Sequence, residues 1–271
     1  MVGIKRNIDL PPLRLSPRLE CLLSLLPPAA GRLIDIGCDH ALLPIAALER
    51  GMVGSALAVD VRSRPLDRAR ANILARGLEQ GIGTVLSDGF DEIDLQPGDA
   101  AIIAGIGAAV IVDILRRARK SGKFFPGFFL LLQPTRSTAA LRMYLAPEWE
   151  TVAEKFFFQG GRLYNFISAI YRGRSKEISI IHNDNITKLP VVSADIYEYI
   201  AKRKASPASL YTAWMGECNL RDREIASDQW RRYLQHQLSA AGEFMLGAPS
   251  EQQEIWRELC RILEGEVKKH G

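Results

Sequence analysis

Residues 32–44 read Arg-Leu-Ile-Asp-Ile-Gly-Cys-Asp-His-Ala-Leu-Leu-Pro. The first five form a short apolar and β-branched run, which is typical of a buried parallel strand. The run ends in Asp35-Ile36-Gly37, and open α/β sheets bind their ligands at the carboxyl ends of such strands. The residues that follow are therefore the first place to look for a functional site.

Similar apolar runs recur along the chain and alternate with helical segments. The predicted strands cover residues 32–36, 56–60, 82–86, 100–104 and 128–132. Apolar residues at intervals of three and four predict helices over 65–76 and 109–118. This alternation predicts an open, doubly wound α/β sheet.

Two further strand-like runs, Glu154–Gln159 and Leu163–Tyr171, are separated only by Gly160-Gly161-Arg162, which predicts a β-hairpin. Five parallel strands followed by an antiparallel hairpin resemble the Rossmann-like sheet of class I S-adenosylmethionine-dependent methyltransferases, whose last strand inserts antiparallel. A nicotinamide dehydrogenase more often continues with parallel βα units.

The rest of the chain carries helix signals and no strand pattern. One predicted helical segment runs from Ser206-Pro207 to about residue 241, a second begins at Pro249, and residues 242–249 form the turn between them. The two helices either cap the sheet as an antiparallel pair or project from it. The expected domains are a methyltransferase-like domain at 1–175 and, after a polar linker over 172–185, a helical domain at 186–271.

Composition limits the class of protein. Hydrophobic residues make up 47% and charged residues 24% of the 271 residues, which suits a packed core. Four cysteines without a Cys-x-x-Cys pair, and only four histidines, favour reduced thiols and no metal site. No window approaches the roughly 20 apolar residues of a membrane span, and the first nine residues have no apolar h-region, so we expect no secretion signal. We therefore expect a cytoplasmic monomer without a membrane partner.

The net charge is +4, and the whole excess lies in residues 1–172, which carry 21 Lys and Arg against 17 Asp and Glu. Two interpretations stay open for these basic residues: solvated helix faces, or a surface that binds phosphate groups. Under the second, the candidate RNA contacts are Arg18, Arg64, Arg116 and Arg117.

The residues after the first strand do not suit a dinucleotide, which needs Gly-x-Gly-x-x-Gly because backbone must approach its pyrophosphate closely. Of the three glycines in this pattern, the chain has only Gly37. Asp39 and Leu42 occupy the other two positions, and a carboxylate would repel the pyrophosphate. S-adenosylmethionine has no phosphate and carries an ammonium and a sulfonium, which Asp35 and Asp39 would attract.

Acidic residues also follow the next two predicted strands. Asp60 is placed to accept hydrogen bonds from both ribose hydroxyls, and Asp88 to accept from the adenine amine while Gly89 leaves room for the ring. An ordinary turn explains each of them singly, but their occurrence at successive strand ends favours a cofactor cleft. The predicted cofactor contacts are Asp35, Gly37, Asp60, Val61, Ser87, Asp88, Gly89 and Gly105.

The pattern Asp-Ile-Gly-x-Asp-His-Ala-x-Leu-Pro at 35–44 closely resembles the signature of the bacterial tRNA adenine-22 N1-methyltransferase family. Supporting matches within residues 14–172 are Leu15-Ser16-x-Arg18-Leu19, Asp60 with Pro65-Leu66, Ser87-Asp88-Gly89-Phe90, Ala104-Gly105-Ile106-Gly107, Leu132-Gln133-Pro134 and Gly161-x-x-Tyr164. The resemblance implies S-adenosylmethionine as cofactor, tRNA as partner and methylation of N1 of the adenine at position 22, in the D-loop region. The helical C-terminal part agrees with the coiled-coil-like domain of that family.

Two segments depart from the family pattern. The family reads Gly-Met-Gly-Gly where this chain has Gly105-Ile106-Gly107-Ala108, and Gln-Pro-Asn where it has Gln133-Pro134-Thr135. A Cβ at Ala108 is expected to restrict positive φ and to narrow the approach of the backbone to a ligand. An altered target, or a lost activity, is therefore an open alternative.

The resemblance assigns the catalytic role to Asp39, the second acidic residue of the signature. Positive charge develops on adenine as N1 is methylated, and a carboxylate that accepts from the exocyclic amine stabilises it. Alternatively, Asp39 only caps the following helix. His40 either orients Asp39 or contacts the base, or has a purely structural role.

N1 lies on the Watson–Crick edge, so the adenine must be unpaired or extruded before it reacts. The leading interpretation is an S-adenosylmethionine-dependent tRNA (adenine-N1)-methyltransferase. Two alternatives stay open: a catalytically silent RNA-binding or nucleotide-sensing module on the same fold, and a methyltransferase for another substrate.

Overall fold

The computed structural model describes residues 11–28, 30–146, 148–173, 206–216 and 227–270. Both predicted domain boundaries, at 175 and 186, and most of the predicted linker lie outside these residues, so the division into two domains stays a prediction. Within the described ranges, no helix is both long and apolar enough to cross a membrane.

A seven-stranded sheet forms the centre of the molecule. Its strands are β1 (Ala30–Ile36), β2 (Val53–Asp60), β3 (Ile82–Leu86), β4 (Asp99–Ile106), β5 (Phe129–Pro134), β6 (Trp149–Gln159) and β7 (Arg162–Tyr171). They lie in the order β3-β2-β1-β4-β5-β7-β6. The first five are parallel, and β7 is inserted antiparallel between β5 and β6. The predicted doubly wound sheet with an antiparallel terminal hairpin is confirmed.

Helices cover both faces of the sheet. They are α1 (Pro17–Ser24), α2 (Leu42–Glu49), α3 (Ser63–Ala75), α4 (Ala108–Lys120) and α5 (Thr138–Leu145). The first three enclose one apolar layer, which receives Leu33 of β1, and α4 and α5 enclose the other, which receives Ile34. Because both faces of the central strands are buried, those strands are almost continuously apolar.

The strand order reverses beside β1, which lies between β2 and β4. The connections that leave β1 and β4 therefore run to opposite faces of the sheet, and a crevice opens between them at the carboxyl ends of the two strands. The segments after Ile36 and Ile106 border this crevice.

Within the described residues, three more helices pack at the outer end of the sheet. They are α6 (Pro207–Met215), α7 (Ser227–Gly247) and α8 (Gln253–Lys269), the last preceded by a 3₁₀ turn, Ser250–Gln252. They share an apolar core with α5 and the β6–β7 hairpin, so they cap the sheet. The predicted unbroken segment over 206–241 is wrong, because α6 ends before Gly216, whose φ is +85°. The turn at 242–249 is shorter than predicted, because α7 continues to Gly247.

A buried ion pair joins these helices to the sheet. Arg142 of α5 donates from Nε to Glu154 Oε1 of β6 at 2.7 Å and from Nη1 to the Trp214 carbonyl at 2.6 Å. Its Nη2 donates to Tyr233 Oη at 3.2 Å, and Tyr233 donates to the Met215 carbonyl at 3.0 Å. Burial opposes the charge on Arg142, but attraction by Glu154 raises the pKa of its guanidinium. Charge-assisted hydrogen bonds therefore hold the C-terminal helices in place.

Candidate active site

A cleft of about 100 Å³ opens at the carboxyl ends of β1 and β4, where the strand order reverses. The residues that line it are Arg18, Leu19, Asp35, Gly37, Cys38, Asp39, His40, Leu42, Leu43 and Ala104. The segment that follows β1 therefore forms most of its wall.

The turn between β1 and α2 has a strained backbone. The N–H groups of Gly37 and Cys38 both donate to the Val59 carbonyl of β2, at 2.8 and 3.0 Å. Asp39 and Ala41 then adopt φ values of +45° and +57°, in the left-handed region that non-glycine residues rarely enter. Each such residue costs on the order of 1–2 kcal/mol and needs support from its surroundings. Such strain tends to occur at functional sites.

The Asp39 carboxylate lies at the mouth of the cleft. Its side chain is 62% exposed, with Oδ2 3.4 Å from His40 Nε2 and Oδ1 3.8 Å from Arg68 Nη1. Helix α2 begins at Leu42 with Ala41 as its N-cap residue, and no side chain forms a capping hydrogen bond there. The alternative that Asp39 caps the helix is therefore wrong, and its carboxylate is accessible to a ligand.

His40 lies beside Asp39 and is held through its backbone. Its carbonyl accepts a hydrogen bond of 2.9 Å from Asn72 Nδ2 of α3. The structure thus brings the two predicted catalytic residues together. Asn72 was not a candidate, because a single asparagine inside a helix carries no distinguishing sequence pattern.

Asp35 lies deep in the cleft and is 4% exposed. Burial raises its pKa to about 7, against the opposing charge of Arg18 and with a smaller contribution from Asp60. Arg18 Nη1 donates to Gln133 Oε1 of β5 at 2.9 Å. The Arg18 guanidinium thus lies in the cleft wall beside Asp35, and its role as an RNA contact stays a prediction.

In the loop after β4, Ala108 does not lie where the sequence predicted, beside a bound ligand. Gly105 has φ +79°, and a Cβ there would lie 3.7 Å from Arg18 Nη1, so this glycine borders the cleft. Ala108 is the buried first residue of α4 and follows Gly107, whose φ is −71°. The expectation that its Cβ narrows the approach to a ligand is wrong, because the methyl group belongs to the core layer beneath α4.

Asp60 is buried at the end of β2, where Oδ1 accepts a hydrogen bond of 2.9 Å from the Arg62 N–H. Val61 and Leu86, at the ends of two paired strands, are by contrast 58% and 55% exposed. A buried acceptor beside exposed apolar side chains suits a ligand with hydroxyl groups and a flat ring. Sequence reasoning missed Leu86, because a leucine at the end of a strand normally belongs to the core.

The segment after β3 is held by contacts within the chain. Ser87 Oγ donates to the Gly89 carbonyl and accepts from the Glu92 N–H, both at 3.0 Å, so its hydroxyl stabilises the loop. A Cβ on Gly89 would lie 2.5 Å from Ile114 Cγ2. Packing against α4 therefore accounts for the glycine at this position, and the role of Gly89 as room for adenine stays a prediction.

Arg117 is neutralised within the chain. Its partners are Asp88 at 2.7 Å, Asp91 at 3.5 Å and Asp113. The expected phosphate contact at Arg117 does not fit a guanidinium surrounded by three carboxylates. The roles of Asp88 as a cofactor contact and of Arg116 as an RNA contact stay predictions.

Exposed arginines near the cleft lie instead at the start of α3. Arg62 lies 3.7 Å from Asp60, Arg68 lies 3.8 Å from Asp39, and Arg64 between them is also exposed. The role of Arg64 as an RNA contact stays a prediction.

In the part of the chain that the structure describes, no group of three or more His, Cys, Asp or Glu side chains is arranged to hold a metal ion. Cys38 is a free thiol in the cleft wall, and burial raises its pKa. A thiol that stays protonated is a poor nucleophile, so the structure gives no support to Cys38 as a methyl acceptor.

The chain is similar in sequence to methyltransferases. A family model described as a methyltransferase domain matches residues 15–167. The tRNA (adenine(22)-N(1))-methyltransferase of Bacillus subtilis (strain 168) is 30% identical over 158 residues, or 58% of this chain. That match spans 65% of the length of the curated relative.

Solved structures resemble the chain over almost its whole length. The B. subtilis M1A22 tRNA methyltransferase TrmK has a TM-score of 0.58 at 24% identity, with 95% of this chain and 97% of that chain covered. M. capricolum TrmK, in complex with S-adenosyl-homocysteine, has a TM-score of 0.61 at 18% identity, with 94% and 98% covered. At these identities the likeness shows the fold alone.

Proposed function

Since this chain belongs to the methyltransferase domain family, we propose that it transfers a methyl group from S-adenosylmethionine to N1 of an adenine in tRNA. The observation that carries the proposal is the grouping of Asp35, Asp39 and Asp60 at the carboxyl ends of two paired parallel strands, without a glycine-rich phosphate loop. The relative from B. subtilis, named for methylation of adenine 22 in tRNA, supports the choice of substrate.

The residues of the cleft fit S-adenosylmethionine. The Asp35 carboxylate suits its ammonium group, and Arg18, which lines the cleft, suits its carboxylate. Gly37 and Gly105, both with positive φ, bring bare backbone to two sides of the cleft. Asp60 offers a buried acceptor for the ribose, and Val61 offers apolar surface for the adenine ring.

The bound cofactor supplies an electrophilic methyl group, and the protein supplies charge and position. Adenine N1 attacks without a covalent enzyme nucleophile, so the main task of the protein is to stabilise the positive charge that develops on the ring. Asp39 accepts a hydrogen bond from the exocyclic amine, and this interaction strengthens as the charge grows. His40 orients the Asp39 carboxylate, and Leu42 and Leu43 limit the access of water to the cleft.

Replacement of Asp60 by alanine should weaken cofactor binding by roughly 5- to 150-fold. The ribose loses one buried acceptor, which costs about 1–3 kcal/mol. Calorimetric titration with S-adenosyl-homocysteine measures the change. Asp67→Ala is the control, because that carboxylate is exposed on α3 and pairs with Arg70. Unchanged affinity in Asp60→Ala would show that the ribose lies elsewhere.

Cofactor affinity should rise as the pH increases through about 7. The Asp35 carboxyl, with its pKa raised to about 7, is neutral below that pH and attracts an ammonium only above it. The same shift means that ionised Asp35 opposes folding, so the free energy of unfolding should fall between the unfolded pKa of 3.8 and about 7. Titrations should stay below pH ~8, where the amine of the ligand itself loses its proton. If cofactor affinity had the same pH dependence in Asp35→Asn as in the wild-type protein, Asp35 would not be the group that binds the ammonium.

We infer that tRNA approaches over the start of α3, where phosphates that flank the target adenine meet Arg62, Arg64 and Arg68. For about three contacts, log K for tRNA should fall with log salt with a slope on the order of −3. Arg64→Gln should reduce this slope by about 1, whereas Arg257→Gln, on α8, should not. A flat salt response in the wild-type protein would exclude binding through phosphates.

Transfer of tritiated methyl groups tests the proposal. We expect label in unmodified tRNA and none in duplex DNA or bulk protein. Label in duplex DNA or in protein would identify a methyltransferase that acts on a different substrate. No label, from protein that still binds S-adenosyl-homocysteine, would identify a silent module. The Ala108 departure no longer favours a silent module, because that residue is buried in the core.

A further inference from the structure

Helix α3 supports the turn that carries Asp39. Asn72 Nδ2, from the third turn of the helix, donates to the His40 carbonyl at 2.9 Å. Arg68 lies one helical turn earlier, on the same side of α3, and approaches the Asp39 carboxylate at 3.8 Å. Helix α3 thus contacts both the Asp39 side chain, through Arg68, and the backbone of the turn, through Asn72.

This turn needs support from outside. Asp39 and Ala41 both have positive φ, and the following helix has no capping side chain. The backbone hydrogen bonds from Gly37 and Cys38 hold the start of the turn against β2, and the Ala41 N–H donates to the Cys38 carbonyl at 2.8 Å within the turn, so neither contact ties its far end to another element. Within the described residues, the Asn72 amide is the side-chain donor that holds the backbone beyond Asp39.

We propose that Asn72 is a positioning residue for methyl transfer: its hydrogen bond to the His40 carbonyl fixes the direction in which the Asp39 carboxylate leaves the turn. The proposal rests on the proposed function, since it takes Asp39 as the group that contacts the target base. A small displacement of such a group lowers the rate strongly without weakening the binding of cofactor or RNA.

Asn72→Leu tests the proposal, because leucine has a similar size and no N–H to donate. Thr84→Val is the matched control: it removes the hydrogen bond of 3.0 Å between Arg70 of α3 and β3 and leaves the turn untouched. In the free protein, we expect amide hydrogen exchange at Cys38 and Ala41 to be about 5-fold faster in Asn72→Leu and unchanged in Thr84→Val.

The single-turnover rate of methyl transfer should fall about 10-fold in Asn72→Leu, with unchanged affinity for S-adenosyl-homocysteine and tRNA. Because Asn72 acts through Asp39, the same replacement in an Asp39→Asn background should cause almost no further loss. An equal 10-fold loss in both backgrounds, or unchanged exchange at the turn, would overturn the proposal. If the wild-type protein transfers no methyl group, the proposed function fails on its own, and the exchange rates decide whether Asn72 holds the turn.

Discussion

Replacement of Asp39 by asparagine should lower the single-turnover rate of methyl transfer by about 10²–10³-fold. The amide still accepts a hydrogen bond from the exocyclic amine but carries no charge, so the stabilisation of the developing positive charge is lost; one preorganised interaction of this kind contributes roughly 3–4 kcal/mol. Asparagine tolerates the left-handed backbone that Asp39 adopts, so the turn should persist.

The fold and the binding of S-adenosyl-homocysteine should be almost unaffected in Asp39→Asn, since the side chain is exposed and does not cap α2. Asp67→Asn is the matched control, because it also removes an exposed carboxylate that lies beside an arginine of α3. A fully active Asp39→Asn protein would contradict the mechanism.

Replacement of Glu154 by alanine should destabilise the protein by about 3–5 kcal/mol, or roughly 10²–10⁴-fold in the unfolding equilibrium. Arg142 would keep its charge in a buried site without a carboxylate partner, which is far more costly than loss of an exposed pair. Chemical denaturation followed by circular dichroism measures the change. The loss of stability should extend to the C-terminal helices, because Arg142 also donates hydrogen bonds to the Trp214 carbonyl and to Tyr233.

Two further variants separate the buried charge from general disturbance of the hairpin. Glu150 lies on the same strand as Glu154, and Glu150→Ala breaks only its exposed pair with Arg172, so this variant should have little effect. The double replacement Arg142→Met, Glu154→Leu removes both charges and should recover most of the stability. A loss in Glu154→Ala no larger than in Glu150→Ala would show that the buried pair does not hold the helices.

The sheet could be predicted from the sequence because its central strands are buried on both faces and therefore form plain apolar runs. The predicted strand at 82–86 has the same limits in the structure. The break after α6 could not be predicted. It depends on Gly216, where a Cβ would collide with Glu154 Oε2, and that close approach arises only from tertiary packing.

The acidic residues of the site could be predicted from the sequence, because their positions depend only on where the parallel strands end. Asp35 and Asp60 lie at the carboxyl ends of two paired parallel strands and Asp39 follows the first of them, so all three lie at the same edge of the sheet. The partners of the arginines could not be predicted, because they depend on long-range contacts. Arg18 and Gln133 are 115 residues apart in the chain, and Arg117 meets Asp88 across a loop.

The most direct test of the central claim is the identity of the methylated nucleoside. After a single turnover with unmodified tRNA, nuclease digestion and mass spectrometry should find N1-methyladenosine from one nucleotide of the tRNA. Its yield should fall to the background level in Asp39→Asn over the same reaction time. Methylation at the exocyclic amine or on another base, or the same yield of N1-methyladenosine from Asp39→Asn, would contradict the account.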